Sequence, residues 1–401
     1  MKKNQFYLLF IILLLWAKAL HAREQISRNM FMVTNLNTEN GLSSSRVYSI
    51  VEAEDGAMWI STKRGVDRYN GQVVTNYTLA TEMQYSDASG RTIKLLQDCN
   101  RQLYAYDNKG KVYIYNKDQD AFILKYNLLN LLGRSTVLNE LLVDSKGNFW
   151  LALDHGLYWL QASVDEKEIS QEKAKGKYIL KNIYINHIQF VGQKLLVGTS
   201  KDVYQYSLVS LKMEKKLNGF SVVSSYHDRV AHQIWLGTFH QGVLVLDDRT
   251  WNPVSMVDFG SLSKIPQIPV RSIIPYKNDA LLMAVDGAGI YAFDRVSKQT
   301  HLILDTEGRP GSVLKGNGLY TLCCDRFCDL WVGSFSGGVD LAIPMERSLE
   351  YITHGYLNSQ SLMDNSVNDV FQSRDGKIWY ATDNNSSLKF EIKAKQFYAA
   401  S

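Results

Sequence analysis

The chain has few of the residues that would reveal a catalytic or cross-linked protein at once. Only 6 Pro and 4 Cys occur among its 401 residues, and three of the cysteines crowd together within residues 323–328. Adjacent cysteines form a disulfide only with strain, and this spacing lacks the paired ligands of a zinc site. The thiols are therefore predicted to be mostly buried small side chains, with a disulfide inside the cluster as the alternative.

An excess of charge is also lacking. The sequence has 44 Lys and Arg against 40 Asp and Glu, and three of the basic residues (Lys2, Lys3 and Lys18) lie in the first 22 residues. The remainder carries a net charge of only +1. This excludes the basic field that direct nucleic-acid binding requires. A hydrophobic share of 45% excludes a disordered chain.

Long apolar runs are absent apart from the 11 residues from Phe6 to Trp16. That run is too short to cross a bilayer, which takes about 20 residues. It follows two lysines and precedes small residues, so residues 1–22 are predicted to be a secretory signal peptide. The sequence thus predicts a periplasmic protein, exported by its signal peptide, with no membrane span in this chain.

Catalytic motifs are absent as well. The run from Gly333 to Gly337 resembles a nucleophile elbow only superficially, because Phe335 stands where the serine would be. Neither a zinc-protease motif nor a phosphate-binding loop occurs. We therefore predict no catalytic residues, no metal and no cofactor.

A repeat is the strongest signal that is present. The same sequence frame recurs eight times: it has an apolar stretch, then a polar turn, then an aromatic or aliphatic anchor residue. Neighbouring anchors are 39 to 49 residues apart. The anchors are Trp59, Tyr104, Trp150, Leu196, Trp235, Leu282, Trp331 and Trp379. This spacing indicates an architectural unit, so the recurring tryptophans are predicted to pack between units.

Each unit reads as four short strands. In the first unit, Asp55-Gly56 and Asn70-Gly71 supply the positive φ angles of tight hairpins. The strands that they separate are residues 47–51, 59–61, 66–69 and 73–77. Four strands at a period of this length are typical of a β-propeller blade, so the predicted fold is an all-β propeller of four-stranded blades.

The first unit resembles the two-component regulator propeller repeat. The residues that carry the resemblance are Gly41-Leu42-Ser43, Asp55-Gly56, Trp59-Ile60-Ser61-Thr62, Gly65-Val66 and Arg68-Tyr69-Asn70-Gly71. The resemblance covers essentially the whole chain after the leader. It implies the periplasmic sensor region of hybrid two-component systems of Bacteroidetes, which generally detect oligosaccharides. The family's β-sandwich, membrane helix and kinase do not occur before Ser401, so the chain is expected to lack the kinase part.

The number of blades can be predicted from the ends of the repeat. Residues 28–37 resemble a fourth strand and would complete the last blade, hiding its edge. We therefore expect a seven-bladed propeller over residues 23–345, with residues 346–401 beginning a second, truncated propeller. An eight-bladed ring is the alternative.

The site is predicted on the face where the turns between second and third strands gather. Aromatic planes and hydrogen-bonding groups there suit an oligosaccharide. The candidate ligand-binding residues are Lys63, Arg64, Asp154, His155, Lys201, Phe239, His240, Asp286 and Phe335. The predicted function is that of a ligand-sensing module without enzymatic activity. A homodimer formed through the propellers is the candidate assembly. The alternative is a secreted propeller enzyme acting on glycans.

Overall fold

A computed structural model describes residues 31–79, 90–161, 175–254, 259–277, 279–307, 313–345, 366–374, 378–382, 387–391 and 396–399. The predicted leader, residues 1–22, lies outside these ranges. Regular secondary structure in the described part of the chain is almost entirely β-strand. Its helices are α1 (Leu128–Leu132), which the sequence analysis did not predict, and two 3₁₀ turns at Thr38–Asn40 and Gly260–Lys264.

Thirty-one strands are present in the described ranges. The first seventeen are β1 (Phe31–Leu36), β2 (Val47–Glu52), β3 (Met58–Thr62), β4 (Val66–Tyr69), β5 (Val74–Tyr77), β6 (Ile93–Gln97), β7 (Leu103–Asp107), β8 (Lys111–Asn116), β9 (Ala121–Asn127), β10 (Leu138–Val143), β11 (Phe149–Leu153), β12 (Gly156–Leu160), β13 (Gly176–Lys181), β14 (Ile185–Val191), β15 (Lys194–Thr199), β16 (Asp202–Ser207) and β17 (Met213–Asn218). The others are β18 (Val222–Asp228), β19 (Gln233–Thr238), β20 (Val243–Asp247), β21 (Val270–Tyr276), β22 (Ala280–Val285), β23 (Gly289–Asp294), β24 (Thr300–Leu304), β25 (Leu319–Cys324), β26 (Leu330–Ser334), β27 (Val339–Pro344), β28 (Val367–Gln372), β29 (Ile378–Thr382), β30 (Ser387–Glu391) and β31 (Gln396–Ala399).

Consecutive strands pair antiparallel into blades, as predicted. Blades 1 to 4 are β2–β5, β6–β9, β10–β13 and β14–β17, blade 5 is β18–β20, and blade 6 is β21–β24. Blade 5 has three strands within the described residues, and residues 255–258, which follow its outer segment, lie outside them. Beyond β20 the described residues form an isolated bridge between Leu246 and Pro253 in place of a fourth strand. The pairing continues past the proline, since the Val254 N–H donates to the carbonyl of Val245 at 2.9 Å.

Blade 7 is closed by the start of the chain. Its strand order is β1-β27-β26-β25, and β1 pairs antiparallel with β27 from Phe31 opposite Pro344 to Leu36 opposite Val339. The predicted closing strand is therefore confirmed. Because β25 in turn packs against β2 of blade 1, the ring closes with seven blades. The eight-bladed alternative is wrong.

The hairpin between the first two strands of a blade explains the spacing of Asp, Gly and the anchor. In blade 3, Asp144 Oδ1 accepts the backbone N–H of Asn148 at 3.0 Å, and its Oδ2 accepts the indole N–H of Trp150 at 3.2 Å. Gly147 adopts a φ of +80° within this turn. Cys328 holds the matching position of blade 7 with a φ of +66°.

The anchor side chains of the seven ring blades fill the space between blades, which confirms the predicted packing role for the ring. Trp59 is 3% exposed, and its ring lies 4.7 Å from that of Tyr115 and 5.7 Å from that of Phe122, both in blade 2. The other buried ring tryptophans at anchor positions are Trp150, Trp235 and Trp331. Because each anchor contacts the next blade, the ring's core consists of successive clusters between blades.

The cysteines agree with the prediction of buried small side chains only in part. All four are free thiols, so the alternative of a disulfide is not found, and Cys99 is exposed. Burial raises the pKa of Cys323 and of Cys324 to about 12. Both thiols are therefore uncharged at neutral pH.

Strands β28–β31 form a further antiparallel sheet in the same order as a ring blade. We call it the eighth sheet. The residues before it, 346–365, lie outside the described ranges. That it begins a second propeller stays a prediction.

Candidate functional site

The turns between the second and third strands lie beside the segments that lead into the first strands. In blade 1, for example, the Lys63 N–H donates to the carbonyl of Arg46 at 3.1 Å. Corresponding bonds join Asp154 to Val137, Phe239 to Ser221, Asp286 to Pro269, and Phe335 to Gly318. All nine predicted residues occur in these turns. Because the blades repeat around the ring, the turns share one face, which we call the turn face.

Six side chains of blades 5, 6, 7 and 1 form a connected group on the turn face. We call it the aromatic–arginine cluster, and its members are Arg46, Tyr48, Phe239, Arg271, Tyr320 and Phe335. Three members lie on the innermost strands of their blades: Tyr48 on β2, Arg271 on β21 and Tyr320 on β25. The cluster therefore lies where the turn face meets the inner wall of the ring.

Arg271 is the centre of one half of the cluster. Its Nε lies 3.1 Å from Asp286 Oδ2, which fixes the direction of the guanidinium. The guanidinium carbon lies 5.3 Å from the ring centre of Phe239 and 5.6 Å from that of Tyr320. These distances are within the range of cation–π attraction.

Phe335 is the centre of the other half. The Arg46 guanidinium carbon lies 3.9 Å above its ring, and the ring of Tyr320 is 5.9 Å away. Tyr320 in turn is 5.8 Å from Tyr48, whose phenol donates to the carbonyl of Arg91 at 3.2 Å. Phe335 is nevertheless 43% exposed, so the cluster offers a ring surface to solvent.

Sequence reasoning placed Phe239, Asp286 and Phe335 in the site but missed Arg271 and Tyr320. A signal for them exists in the repeat, since Tyr48, Arg271 and Tyr320 each stand eleven residues before an anchor. The register of all three innermost strands shifts beside that residue, as in a β-bulge. A bulge redirects a side chain away from the regular ladder.

Lys201 and His240 belong to a separate cleft between blades 4 and 5. Its volume is about 330 Å³. Ser221 also lines it, and its hydroxyl accepts a hydrogen bond from the Asn186 amide at 3.1 Å. The ring of His240 lies 4.6 Å from that of Phe239, so this cleft adjoins the aromatic–arginine cluster.

Asp154 and His155 pair with each other in blade 3. Asp154 Oδ1 lies 2.6 Å from His155 Nδ1 and accepts the Thr136 hydroxyl at 2.9 Å, while His155 Nε2 lies 2.7 Å from the Tyr178 phenol. Burial raises the pKa of Asp154, but these hydrogen bonds outweigh it and hold the pKa below its usual value. The carboxylate therefore orients the imidazole toward the phenol.

Lys63 and Arg64 are held by their backbones in the turn of blade 1. The Arg64 N–H donates to the Thr62 hydroxyl at 3.2 Å. Their positions follow the prediction, but no contact of either side chain ties them to the cluster within the described residues.

Two kinds of site are not found in the described part of the chain. No three His, Cys, Asp or Glu side chains there are grouped so that they could hold a metal ion. No helix among the same residues is long and apolar enough to cross a membrane.

The model of the two component regulator propeller matches residues 41–64 and 361–384. No curated protein matches the chain.

Solved structures with the same fold include extracellular domains of two component and one component systems. The extracellular domain of a hybrid two component system from B. thetaiotaomicron aligns with a TM-score of 0.67 and 19% identity, covering 92% of this chain and 49% of that one. The extracellular domain of a one component system from the same organism aligns with a TM-score of 0.61 and 16% identity, covering 93% and 54%. This chain thus spans about half the length of these structures. It has their propeller fold, and two of its segments match the two component regulator propeller repeat, as the sequence resemblance predicted.

Proposed function

We propose that this chain is the ligand-sensing propeller region of a two-component signalling protein and that it binds an oligosaccharide at the aromatic–arginine cluster. The observation that carries the proposal is the partly exposed ring of Phe335 between Arg46 and Tyr320. An aromatic plane with fixed donors beside it is what a pyranose ring needs, because its apolar face stacks while its hydroxyls accept hydrogen bonds.

The guanidinium groups supply the polar half of this site. Arg271 is directed by Asp286 and lies against two aromatic rings, so it loses little freedom when it donates to a ligand. The predicted residues Lys201 and His240, in the adjoining cleft, extend the site for a second sugar unit. Lys63, Arg64, Asp154 and His155 form the periphery of the turn face.

Export, domain organisation and lack of catalysis belong to the same proposal. Residues 1–22 direct the chain to the periplasm, and residues 346–401 begin a second propeller. The repeat matches at residues 41–64 and 361–384 support this arrangement. The chain recognises its ligand without chemical turnover, and it pairs with a second copy through its propellers.

Calorimetric titration of the exported chain with a panel of neutral and acidic oligosaccharides tests the proposal. We expect saturable binding that Phe335→Ala abolishes. Phe327→Ala is the matched control, because Phe327 is in the same blade, is 77% exposed, and occurs in the hairpin between β25 and β26 rather than on the turn face. Equal affinity of both variants and the parent would contradict the site.

The same samples distinguish a sensor from a glycan-cleaving enzyme. Each bound oligosaccharide is incubated with the protein and its products are separated by chromatography. We expect the oligosaccharide to be recovered intact. New reducing ends formed in proportion to protein concentration would show turnover and overturn the non-enzymatic role.

A further inference from the structure

A second cleft lies between blades 1 and 2, at the end of the ring opposite the turn face. Its volume is about 470 Å³, and it is lined by residues of the β2–β3 hairpin, of the β6–β7 hairpin and of β8 and the turn after it. This size is sufficient for a small ligand, since such sites have volumes of about 300–1,000 Å³. Nothing proposed for the aromatic–arginine cluster involves these residues.

One wall of this cleft is a fixed aromatic and cationic surface. The Arg68 guanidinium lies 5.7 Å from the ring centre of Trp59 and 2.5 Å from Asp55 Oδ2. The Tyr115 ring packs 4.7 Å from Trp59, and its phenol donates to Asp120 Oδ1 at 2.5 Å. Because Asp55 holds Arg68 and Asp120 holds Tyr115, both side chains are in place before a ligand binds.

Two further cations face the cleft without an ion-pair partner among the described residues. They are Arg101, in the β6–β7 hairpin, and Lys117, after β8; both are exposed. Asp55 already neutralises Arg68, and Glu54 is the one other acid of the lining. The cleft therefore has a net positive charge.

The junction between blades 7 and 1 explains why this cleft stays open. There Arg326 forms an ion pair with Glu52 and donates to the carbonyls of Ala53 and Glu54 at 2.9 and 3.0 Å. Glu54 holds the position of Arg326 in blade 1, five residues before the anchor, and Gln97 holds the position of Glu52 in blade 2, seven residues before the anchor. An ion pair of that kind cannot form between Glu54 and Gln97.

From this arrangement we propose that the cleft between blades 1 and 2 binds a small carboxylate. The carboxylate pairs with Arg101 and Lys117, and the body of the ligand lies against Tyr115. A guanidinium fork recognises a carboxylate through two parallel hydrogen bonds, and the neighbouring ammonium adds charge attraction. A sugar acid and an aliphatic dicarboxylate share this chemistry.

The experiment is a calorimetric titration of the full chain with galacturonate, galactose and succinate. Galactose has the ring without the charge, and succinate has the charge without the ring. The test variant is R101Q/K117Q. The control variant K146Q/K212Q removes two exposed positive charges as well, both of them lysines in turns of blades 3 and 4 outside the cleft.

We expect one or both carboxylates to bind and galactose not to bind. In R101Q/K117Q the affinity should fall at least about tenfold, which corresponds to the loss of one charge-assisted hydrogen bond. K146Q/K212Q should bind as the parent does. Binding of galacturonate alone identifies a sugar acid, whereas equal binding of succinate identifies carboxylates in general.

Two results would overturn the proposal. One is the absence of carboxylate binding to the parent protein, and the other is unchanged affinity in R101Q/K117Q. Phe335→Ala serves as a third arm, because it removes the proposed oligosaccharide site and should leave carboxylate binding intact. Loss of both kinds of binding in Phe335→Ala would show that the two sites are not independent.

Discussion

Blade 1 and the eighth sheet contain the same repeat in two different surroundings. Both match the two component regulator propeller model, and both pair their strands antiparallel in chain order. Their burial differs sharply. Ile50 on β2 is 6% exposed, whereas Val370 at the matching register position of β28 is 55% exposed.

The difference arises from the neighbouring blade. In the ring, Val47 and Ile50 pack against Trp331 and Val339 of blade 7, which lies beside blade 1. The repeat sequence therefore specifies strands and turns, while burial of its apolar face depends on an adjacent repeat. The eighth sheet has the pattern of a blade, and its first strand is exposed along its whole length.

The largest contrast should appear on truncation of the anchors. Trp59→Ala should lower the free energy of unfolding by about 3–5 kcal/mol, because a fully packed indole is lost from between blades. Trp379→Ala removes a half-buried indole and should cost less than about 1 kcal/mol. Urea denaturation followed by circular dichroism measures both. Equal losses would mean that the eighth sheet is as fully packed as blade 1.

A buried carboxylate makes the ring sensitive to pH at a position where the eighth sheet has a leucine. Asp340 accepts the Lys315 N–H at 2.9 Å and the Asn35 amide at 2.8 Å, and burial still raises its pKa to about 6. Leu388 holds the matching position of the eighth sheet.

The sign of the pH effect follows from this raised pKa. The folded state keeps the Asp340 proton up to about pH 6, whereas the unfolded chain releases it near pH 4, so this group's contribution to stability falls as the pH rises through that window. Between pH 4.5 and 7.5 the wild-type protein should lose about 2 kcal/mol relative to Asp340→Asn. Denaturation of both proteins across this range provides the measurement, and parallel curves would contradict the raised pKa.

How far the sequence predicts the molecule depends on whether a feature lies within one repeat or between repeats. The hairpins and anchors lie within one repeat, so Trp59 and its turn could be predicted. Closure of the ring could be predicted as well, because residues 28–37 match a missing strand. The single bridge between Leu246 and Pro253 that follows β20 in blade 5 could not, since it depends on how the chain turns back at Trp251 in the folded protein.

The site depends on contacts between repeats, and there the sequence was less informative. Phe239, Asp286 and Phe335 could be selected from their turns, but their connection through Arg271 and Tyr320 depends on how neighbouring innermost strands meet. The pairing of Asp154 with His155 is local, whereas the hydrogen bond to Tyr178 joins the β11–β12 turn to β13. Such distances follow from the fold rather than from the spacing of residues.

A smaller contrast is expected at the apolar positions themselves. Ile50→Val removes one buried methylene and should cost about 0.5–1.5 kcal/mol. Val370→Ala removes more of the side chain, yet it should change stability by less than about 0.5 kcal/mol, because Val370 is exposed. Thermal denaturation of the two variants tests this order. A reversed order would show that β28 is covered in solution, for example by a second copy of the chain.

The smallest effect concerns the arginine that joins blade 7 to blade 1. Arg326 forms an ion pair with Glu52, but 44% of its side chain is exposed, so Arg326→Ala should cost no more than about 1 kcal/mol. Salt should weaken this contribution, since exposed ion pairs are screened. Arg374 holds the same position in the eighth sheet, five residues before its anchor, and is exposed. Arg374→Ala should therefore leave the free energy of unfolding unchanged at any salt concentration. Denaturation of both variants at low and high ionic strength provides the measurement. An equal cost for both arginines would mean that Arg374 also bridges to a neighbouring blade, whereas a cost for Arg326 that salt does not reduce would assign its role to the carbonyls of Ala53 and Glu54 rather than to Glu52.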